Sequence, residues 1–459
     1  MANTSGSYLG DKGYTIFKES LDIGDQGFVR RSLTVTPKMP NSPVQPPSFS
    51  VYLEGPTRLY LPRYFGLQHF GEPDEYRIPS GEAIDVPFVG SLRAIQQPIV
   101  DAYMAAVDPI KGGGGLLDVP CGWGKTLMAL YIIHLLKVKT LVIVHQGFLL
   151  NQWIERIKQF IPSARIGKIQ GQIIDIENKD IVIGMLQSLS KKVYPDKTFA
   201  SFGLVIVDEC HHIASNVFSR SLSRIITKYT LGLSATMNRK DGLTHVFKMF
   251  LGEIVYEVKR EKDDNVLVKS IEYISGNEEF EEVVCDYKGT PQYSSMITKI
   301  CNYSARSEFI IKVLQAELGN YGGQQVIMLA QNKSILKYIH DAISDRKITT
   351  VGYYVGGMKE KDLKESESKQ VIVATYAMAA EGLDIPSLTT LMLLTPRTDV
   401  TQAIGRILRV KRNRPLVVDI VDTHGIFQRQ GKKRATYYRK NNYVIKTSTS
   451  INYFTDMMN

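Results

Sequence analysis

Two short stretches carry side chains whose types and order suit phosphate chemistry. The first runs Leu117-Asp118-Val119-Pro120-Cys121-Gly122-Trp123-Gly124-Lys125-Thr126. An apolar strand enters a Gly-Trp-Gly turn, and Lys-Thr then opens an apolar helix. Such a turn aims backbone N–H groups at an anion, and the helix N-terminus adds its positive end. Lys125 has the reach for β- and γ-phosphates, and the Thr126 hydroxyl can hold Mg²⁺. The second stretch, Asp208-Glu209-Cys210-His211-His212, stands at the tip of the apolar run Leu204-Val205-Ile206-Val207. There Asp208 can bind the metal and Glu209 can polarise a water. Each stretch has an ordinary reading when taken alone. Val119 stands where the strict phosphate-loop pattern has glycine, a Gly-rich turn before a helix is often only a turn, and many strands end in Asp-Glu. In this order and separation, the two together point to hydrolysis of a nucleoside triphosphate.

These residues need elements to position them, and the pattern from about residue 92 onward alternates strand and helix. Strands are predicted at Gly115–Val119, Thr140–His145, Ile181–Met185, Gly203–Val207 and Tyr229–Ser234, and a helix opens at Leu92-Arg93-Ala94-Ile95-Gln96. Leu149 to Phe160 shows an apolar i, i+3, i+4 face, which places Trp153 in core packing. The alternation restarts with strands at Gln325–Leu329, Thr349–Tyr354, Gln370–Thr375, Thr389–Leu394 and Leu416–Val421. Short apolar strands between helices indicate parallel sheets buried on both faces. The fold class is therefore α/β, with two parallel-sheet lobes in tandem behind an N-terminal β-rich domain. The expected domains are 1–85, 86–252, a β-rich connector at 253–300, a second lobe at 301–445 and a tail at 446–459. In the first of these, alternation in Arg31-Ser32-Leu33-Thr34-Val35 and Ser48-Phe49-Ser50-Val51-Tyr52-Leu53 reads as strands. The aromatic Leu59 to Gly66 reads as a strand packing on the next domain, with nucleic-acid contact as the alternative.

Composition narrows the class further. The chain has 459 residues, 44% hydrophobic and 22% charged, which is ordinary for globular domains. The N-terminus carries no secretory pattern, and the longest apolar run, near Leu127 to Leu136, is too short to cross a bilayer. The four cysteines, Cys121, Cys210, Cys285 and Cys301, have no CxxC spacing, which argues against zinc fingers and a disulfide framework and fits a reducing compartment. Between Arg397 and Lys446 stand thirteen Lys/Arg and three Asp/Glu, an excess equal to the net charge of +10 for the whole chain. Tyr437, Tyr438 and Tyr443 are interleaved with this run, a mixture suited to holding phosphates and stacking on bases, or simply to a solvated basic face. The adjacent Cys210, His211 and His212 do not have chelating spacing on one strand end.

The ordered motifs resemble those of the superfamily 2 helicases and translocases, and most closely the XPB-like branch, which includes DNA helicases of large cytoplasmic DNA viruses of the poxvirus transcript-release type. The resemblance covers about Leu92 to Tyr443. It implies two RecA-like lobes, ATP and Mg²⁺ as cofactors, and the following roles. Arg93 and Gln96 match the element that meets the adenine, with Ile95 where an aromatic is usual. Pro120, Cys121, Gly122, Trp123, Gly124, Lys125 and Thr126 form motif I. Asp208 to His212 form motif II, with Asp208 and Thr126 on the metal and Glu209 as the water-activating base. Ser234, Ala235 and Thr236 form motif III, which couples the ATP site to the nucleic-acid track. Gln146, Gln187 and Ser188 match backbone-gripping positions, although His145-Gln146 departs from the family's usual pair. Arg239, in Asn238-Arg239-Lys240-Asp241-Gly242, matches a segment near the duplex, with a salt-bridged loop as the alternative. In the second lobe Thr375 matches a phosphate contact, while Gly382 and Asp384 match the ribose-binding segment. Gln402, Arg406 and Arg409 match motif VI and share one helix face at i, i+4 and i+7. The two arginines there are suited to neutralising charge on the transferring γ-phosphoryl group.

The resemblance implies an ATP-dependent DNA helicase or translocase, moving 3′→5′ and acting in viral transcription, recombination or repair. Its partners would be single-stranded or duplex DNA and possible RNA polymerase or other viral transcription and replication factors, with no membrane and a cytoplasmic or virion location. Two alternatives stay open at this point. One is a duplex-RNA translocase, because the Asp-Glu-Cys-His box also resembles that of RNA sensors and Dicer-type proteins. The other is a nucleic-acid scaffold that uses ATP as a clamp with little turnover.

Overall fold

The computed structural model describes residues 6–37, 46–120, 122–213, 216–235, 237, 242–258, 265–320, 323–381, 383, 385–407 and 415–456. The chain divides into two compact units, residues 1–259 and 260–459.

Among the described residues the first unit opens with a sheet of five strands in the order 53–54, 58–61, 13–17, 8–10, 75–76. Alternation puts Leu9, Tyr14, Ile16, Leu59 and Leu61 on its buried face, in one core with Phe65, Leu116, Phe247 and Leu251. Two sequence expectations shift here. The Arg31–Val35 stretch divides: Arg31 and Ser32 end a helix, Ile23–Ser32, whose N-cap Asp22 side chain accepts from the Asp25 N–H, while Thr34–Val35 is a short strand paired antiparallel with Phe49–Ser50. The aromatic segment is a strand only to Leu61, then a helix, Arg63–Phe70. Its contacts are internal. The buried Arg63 guanidinium donates to the carbonyls of Lys228 (2.8 Å) and Lys111 (2.9 Å), and the Tyr64 hydroxyl meets Thr230 Oγ1 at 2.9 Å.

The main sheet of this unit has nine strands among the described residues, in the order 173–175, 166–170, 181–185, 140–144, 204–208, 229–234, 112–118, 254–257, with 107–108 paired to 112–118. Only the 173–175 and 107–108 strands run antiparallel to their neighbours. The strands at 140–144, 181–185, 204–208 and 229–234 match the expected ones within a residue, because each is a short apolar run buried on both faces. The expected helix at Leu92–Gln96 begins later, at Gln97, with Gln96 as its N-cap residue.

Among its described residues the second unit holds seven strands, ordered 351–354, 371–375, 326–330, 390–393, 416–422, 267–273, 444–449, and all parallel. Helices cover it, among them Ser304–Asn320, Lys333–Asp345 and Gly425–Lys440. The stretch 253–300, expected as a β-rich connector, divides instead. Ile254–Glu257 extends the first sheet, Leu267–Tyr273 lies inside the second, and Tyr293–Asn302 is a helix. Among the described residues no helix is long and apolar enough to cross a membrane.

Candidate active site

The phosphate loop leaves the Gly112–Asp118 strand and enters the Lys125–Leu136 helix. Gly122 and Gly124 hold φ of 84° and 81°, the left-handed region that glycine enters without a Cβ penalty. Val119, in the place of the pattern's first glycine, is fully buried in the lobe core and donates its N–H to the Ser234 carbonyl at 2.9 Å. It extends the sheet by one rung, and its side chain packs in the core of the lobe. Pro120 follows, Trp123 is half-buried, and Cys121 lies outside the described residues.

Beneath the loop sits the buried Gln96. Its Oε1 accepts from the Arg93 N–H at 2.9 Å, and its Nε2 donates to the Trp123 carbonyl at 2.7 Å. The Arg93 guanidinium donates to the same carbonyl at 2.7 Å. Both residues therefore grip the loop backbone. Ile95 beside them is 47% exposed.

Motif II converges on the same loop. Asp208 ends the Leu204–Asp208 strand, and Glu209 follows with φ of 47°. A non-glycine residue held there is strained, and such strain gathers at functional sites. The turn sets Glu209 Oε1 at 3.4 Å from Lys125 Nζ and Glu209 Oε2 at 3.4 Å from His211 Nδ1. The Glu209 N–H donates to Asp208 Oδ1 at 3.0 Å. Asp208 Oδ2 accepts from the indole N–H of Trp153 at 2.8 Å. Burial and the adjoining Glu209 carboxylate push Asp208 above the usual carboxylate range, only partly offset by Trp153 and Lys125. A buried carboxylate raised by burial and a neighbouring carboxylate is relieved by a cation.

That chemistry fits Mg²⁺. Among the described residues no group of three or more His, Cys, Asp or Glu could cage a metal by itself. Magnesium needs no such cage, since it takes one or two carboxylates and completes its shell with phosphate oxygens and water. Asp208, with the Thr126 hydroxyl at the start of the loop helix, would supply the protein ligands. The Cys210 thiol is fully buried against Met237 and pushed well up by burial, which leaves it inert.

Ser234 joins these parts. It ends the Tyr229–Ser234 strand, its hydroxyl lies 2.6 Å from His211 Nδ1, and its carbonyl takes the Val119 N–H. Ala235 beside it is 4% exposed. The motif III strand end thus touches motif II and Val119, the residue that leads into motif I. At the neighbouring strand ends, Gln187 Nε2 donates to the His145 carbonyl at 2.8 Å, Ser188 Oγ accepts from the Gly171 N–H at 3.0 Å, and Gln146 is the N-cap residue of the 147–160 helix. In the second unit Thr375 ends the Val371–Thr375 strand. Gln402 and Arg406 lie on the Thr401–Ile407 helix, with their side chains outside the described set. Thr236, Arg239, Gly382, Asp384 and Arg409 also lie outside it.

Sequence reasoning did not foresee two features. Trp153 does pack in the core, 1% exposed, but it also fixes the motif II aspartate. The only advance signal was that a buried indole N–H needs an acceptor. Conversely, Tyr438 and Tyr443 are 1% and 8% exposed, so the expected base-stacking role in the basic run is not open to them.

Comparison with known proteins agrees with this geometry. Residues 90–239 match the family model "Type III restriction enzyme, res subunit", and residues 308–414 match "Helicase conserved C-terminal domain". A protein of Acanthamoeba polyphaga mimivirus named as an ATP-dependent RNA helicase is 34% identical over 461 residues, covering 97% of this chain and 88% of its own. An African swine fever virus protein named likewise is 28% identical, covering 77% and 74%. In fold, the chain is similar to S. cerevisiae Dbp5 bound to RNA and ADP BeF3, with a TM-score of 0.54 at 11% identity over 79% of this chain and 91% of that one. With motif I and motif II converging on one loop and a relative of that identity along nearly the whole length, the chain belongs to the superfamily 2 helicases and resembles those of large DNA viruses.

Proposed function

We propose that this helicase is a DNA-stimulated ATPase that translocates 3′→5′ and serves viral transcription, including transcript release, or recombination or repair. The observation that carries turnover is the strained Glu209, held between Lys125 and His211 beside a buried Asp208. A protein that used ATP only as a clamp would need no water-activating carboxylate in that position. Lys125 neutralises the β- and γ-phosphates, Asp208 and Thr126 hold Mg²⁺, and Glu209 orients the attacking water. Arg406 and Arg409 supply charge to the transferring phosphoryl group together with Gln402 of the same motif, and Gly382 and Asp384 meet the nucleotide. Gln146, Gln187, Ser188, Arg239 and Thr375 hold the strand by its backbone, so little sequence preference is expected. Ser234, Ala235 and Thr236 pass the nucleotide state to those grips. RNA polymerase or other transcription and replication factors are the partners proposed for the complete system.

The reading for DNA rests on the motif resemblance. The names of the mimivirus and swine-fever-virus relatives favour RNA instead, and this is the second reading. ATP turnover with no nucleic acid, single-stranded DNA, duplex DNA and RNA separates them, measured beside Glu209→Gln and Lys125→Ala. Strong stimulation by DNA that both substitutions abolish is expected. Stimulation by RNA alone replaces the DNA reading. Tight ATP-dependent binding with no turnover under any condition replaces both with the clamp.

A further inference from the structure

The Gly425–Lys440 helix contains six Lys/Arg and no Asp/Glu. Its inner face is fully explained by packing. Phe427, Gly431, Arg434 and Tyr438 recur at helical spacing and are buried. Gly431 is required there, because a Cβ would lie 2.8 Å from the Val421 side chain on the strand below. Arg434 and Tyr438 both bind the buried Asp419 of that strand.

The outer face has no such explanation. Arg429, Lys432, Lys433, Arg439 and Lys440 are all exposed on the side opposite that buried row. Among the described residues none of the five has an acidic partner. Arg439 and Lys440 occupy the last turn, where the helix dipole favours cations. Arg429, Lys432 and Lys433 do not have that excuse. They stand at i, i+3 and i+4, a spacing at which like charges destabilise a helix. A local choice that opposes the fold marks a functional position.

We infer that this outer face is a binding surface for the phosphate backbone of nucleic acid, separate from the motif contacts. It rests on the helicase assignment. Arg429 to Lys440 spans about 16 Å, along which a duplex presents roughly ten phosphate charges. The face offers cations and the Thr436 hydroxyl but no apolar side chain, which rules out the amphipathic insertion used at membranes. It also offers no ring for bases. Tyr437 is half-buried, edge-on to Tyr438 and Tyr443 at 6.1 Å from each. The contact is therefore to backbone, through charge, without reading sequence.

The test is duplex affinity of the full chain against salt for the parent, the triple variant Arg429→Gln/Lys432→Gln/Lys433→Gln and the charge-preserving Lys432→Arg/Lys433→Arg. Each phosphate neutralised contributes about 0.9 to the log–log slope on a duplex, so the triple variant loses roughly 2 to 3 from its magnitude and weakens about equally on all sequences. The charge-preserving variant keeps the parental slope. Turnover without nucleic acid stays unchanged, and the thermal midpoint stays or rises as the repulsion is relieved. A triple variant with the parental slope overturns the inference alone. A parent that binds no nucleic acid at any salt overturns the helicase assignment with it.

Discussion

At the scale of single residues, Trp153 shows how a core side chain enters the chemistry. Its indole N–H and the Glu209 N–H take one oxygen each of the Asp208 carboxylate, at 2.8 Å and 3.0 Å, and so fix the carboxylate plane that the proposed Mg²⁺ would meet. Partners that orient a metal ligand typically govern about 10- to 100-fold in metal affinity. Trp153→Phe keeps an aromatic side chain but removes the donor along with the pyrrole half of the indole, so the thermal midpoint is measured beside it to account for the cavity left in the core. The Mg²⁺ concentration for half-maximal turnover, and for Mg²⁺-dependent binding of ADP, is expected to rise about tenfold, with metal-free nucleotide binding unchanged. An unmoved Mg²⁺ midpoint would sink the idea. The Trp123 and Gln96 contacts give a second prediction at Gly124, where φ is 81° and a Cβ would lie 2.4 Å from Gln96 Nε2. Gly124→Ala must strain the backbone by about 1–2 kcal/mol and displace Gln96, so nucleotide dissociation constants should rise about tenfold in a direct titration. The loop's geometry was legible in the sequence, since Gly122 and Gly124 do stand in the left-handed region and Lys125 does open the following helix. The Trp153–Asp208 bond was not legible, because apolar periodicity registers that an indole is buried and is silent about where its nitrogen points.

At the scale of elements, the buried Arg434–Asp419 pair anchors the basic helix to its sheet. Both side chains are 1% exposed, Arg434 Nε reaches the two Asp419 oxygens at 3.0 and 2.9 Å, and Tyr438 adds a third bond at 2.9 Å. Removing one partner strands the other charge in the interior, at a cost of about 3–5 kcal/mol, while replacing both with apolar side chains can be near neutral. Asp419→Ala should therefore shift the second unit's urea midpoint far more than Asp419→Leu/Arg434→Met. Equal shifts would mean that volume, not charge, matters here. The helix and the strand beneath it illustrate what sequence patterns report. Strands such as Ile181–Met185 and Tyr229–Ser234 were readable because a short apolar run buried on both faces has few other uses. The 253–300 stretch misled for the same reason. Ile254–Glu257 and Leu267–Tyr273 are strand-like locally, but their partners, Leu116–Asp118 and Leu416–Asp422, lie far away in sequence. Local pattern identified the strands without assigning them to sheets. The Tyr438 and Tyr443 rings were misplaced because interleaving along the chain says nothing about which helix face Tyr438 takes, or that Tyr443, just past the helix end, stacks back on it.

At the scale of the whole molecule, each unit is built to fold on its own. The first carries two hydrophobic clusters that draw on residues from Leu9 to Leu251, and the second carries a cluster running from Leu267 to Tyr453, with no member shared. Each also encloses its own sheet. Lys125, Asp208 and Glu209, with the Trp153 and Gln96 contacts, all belong to the first unit, whereas Arg406 and Arg409 belong to the second. A fragment of residues 1–259 therefore keeps the groups proposed to hold the metal and the phosphates, and loses the proposed arginines. It should unfold cooperatively and bind Mg²⁺-ADP within a few-fold of the full chain. Arginines that stabilise the transferring phosphoryl group are worth about 10³–10⁵ in rate, so the fragment's turnover should fall by at least about a thousandfold. Nucleic acid should not restore it. Measured beside Arg406→Ala in the full chain, the fragment separates binding from chemistry. If Arg406→Ala loses turnover to a similar extent while both proteins still bind nucleotide, the arginine supplies the transition-state charge. A fragment that hydrolyses ATP at the full chain's rate would place the whole reaction in the first unit and leave Arg406 and Arg409 to another task.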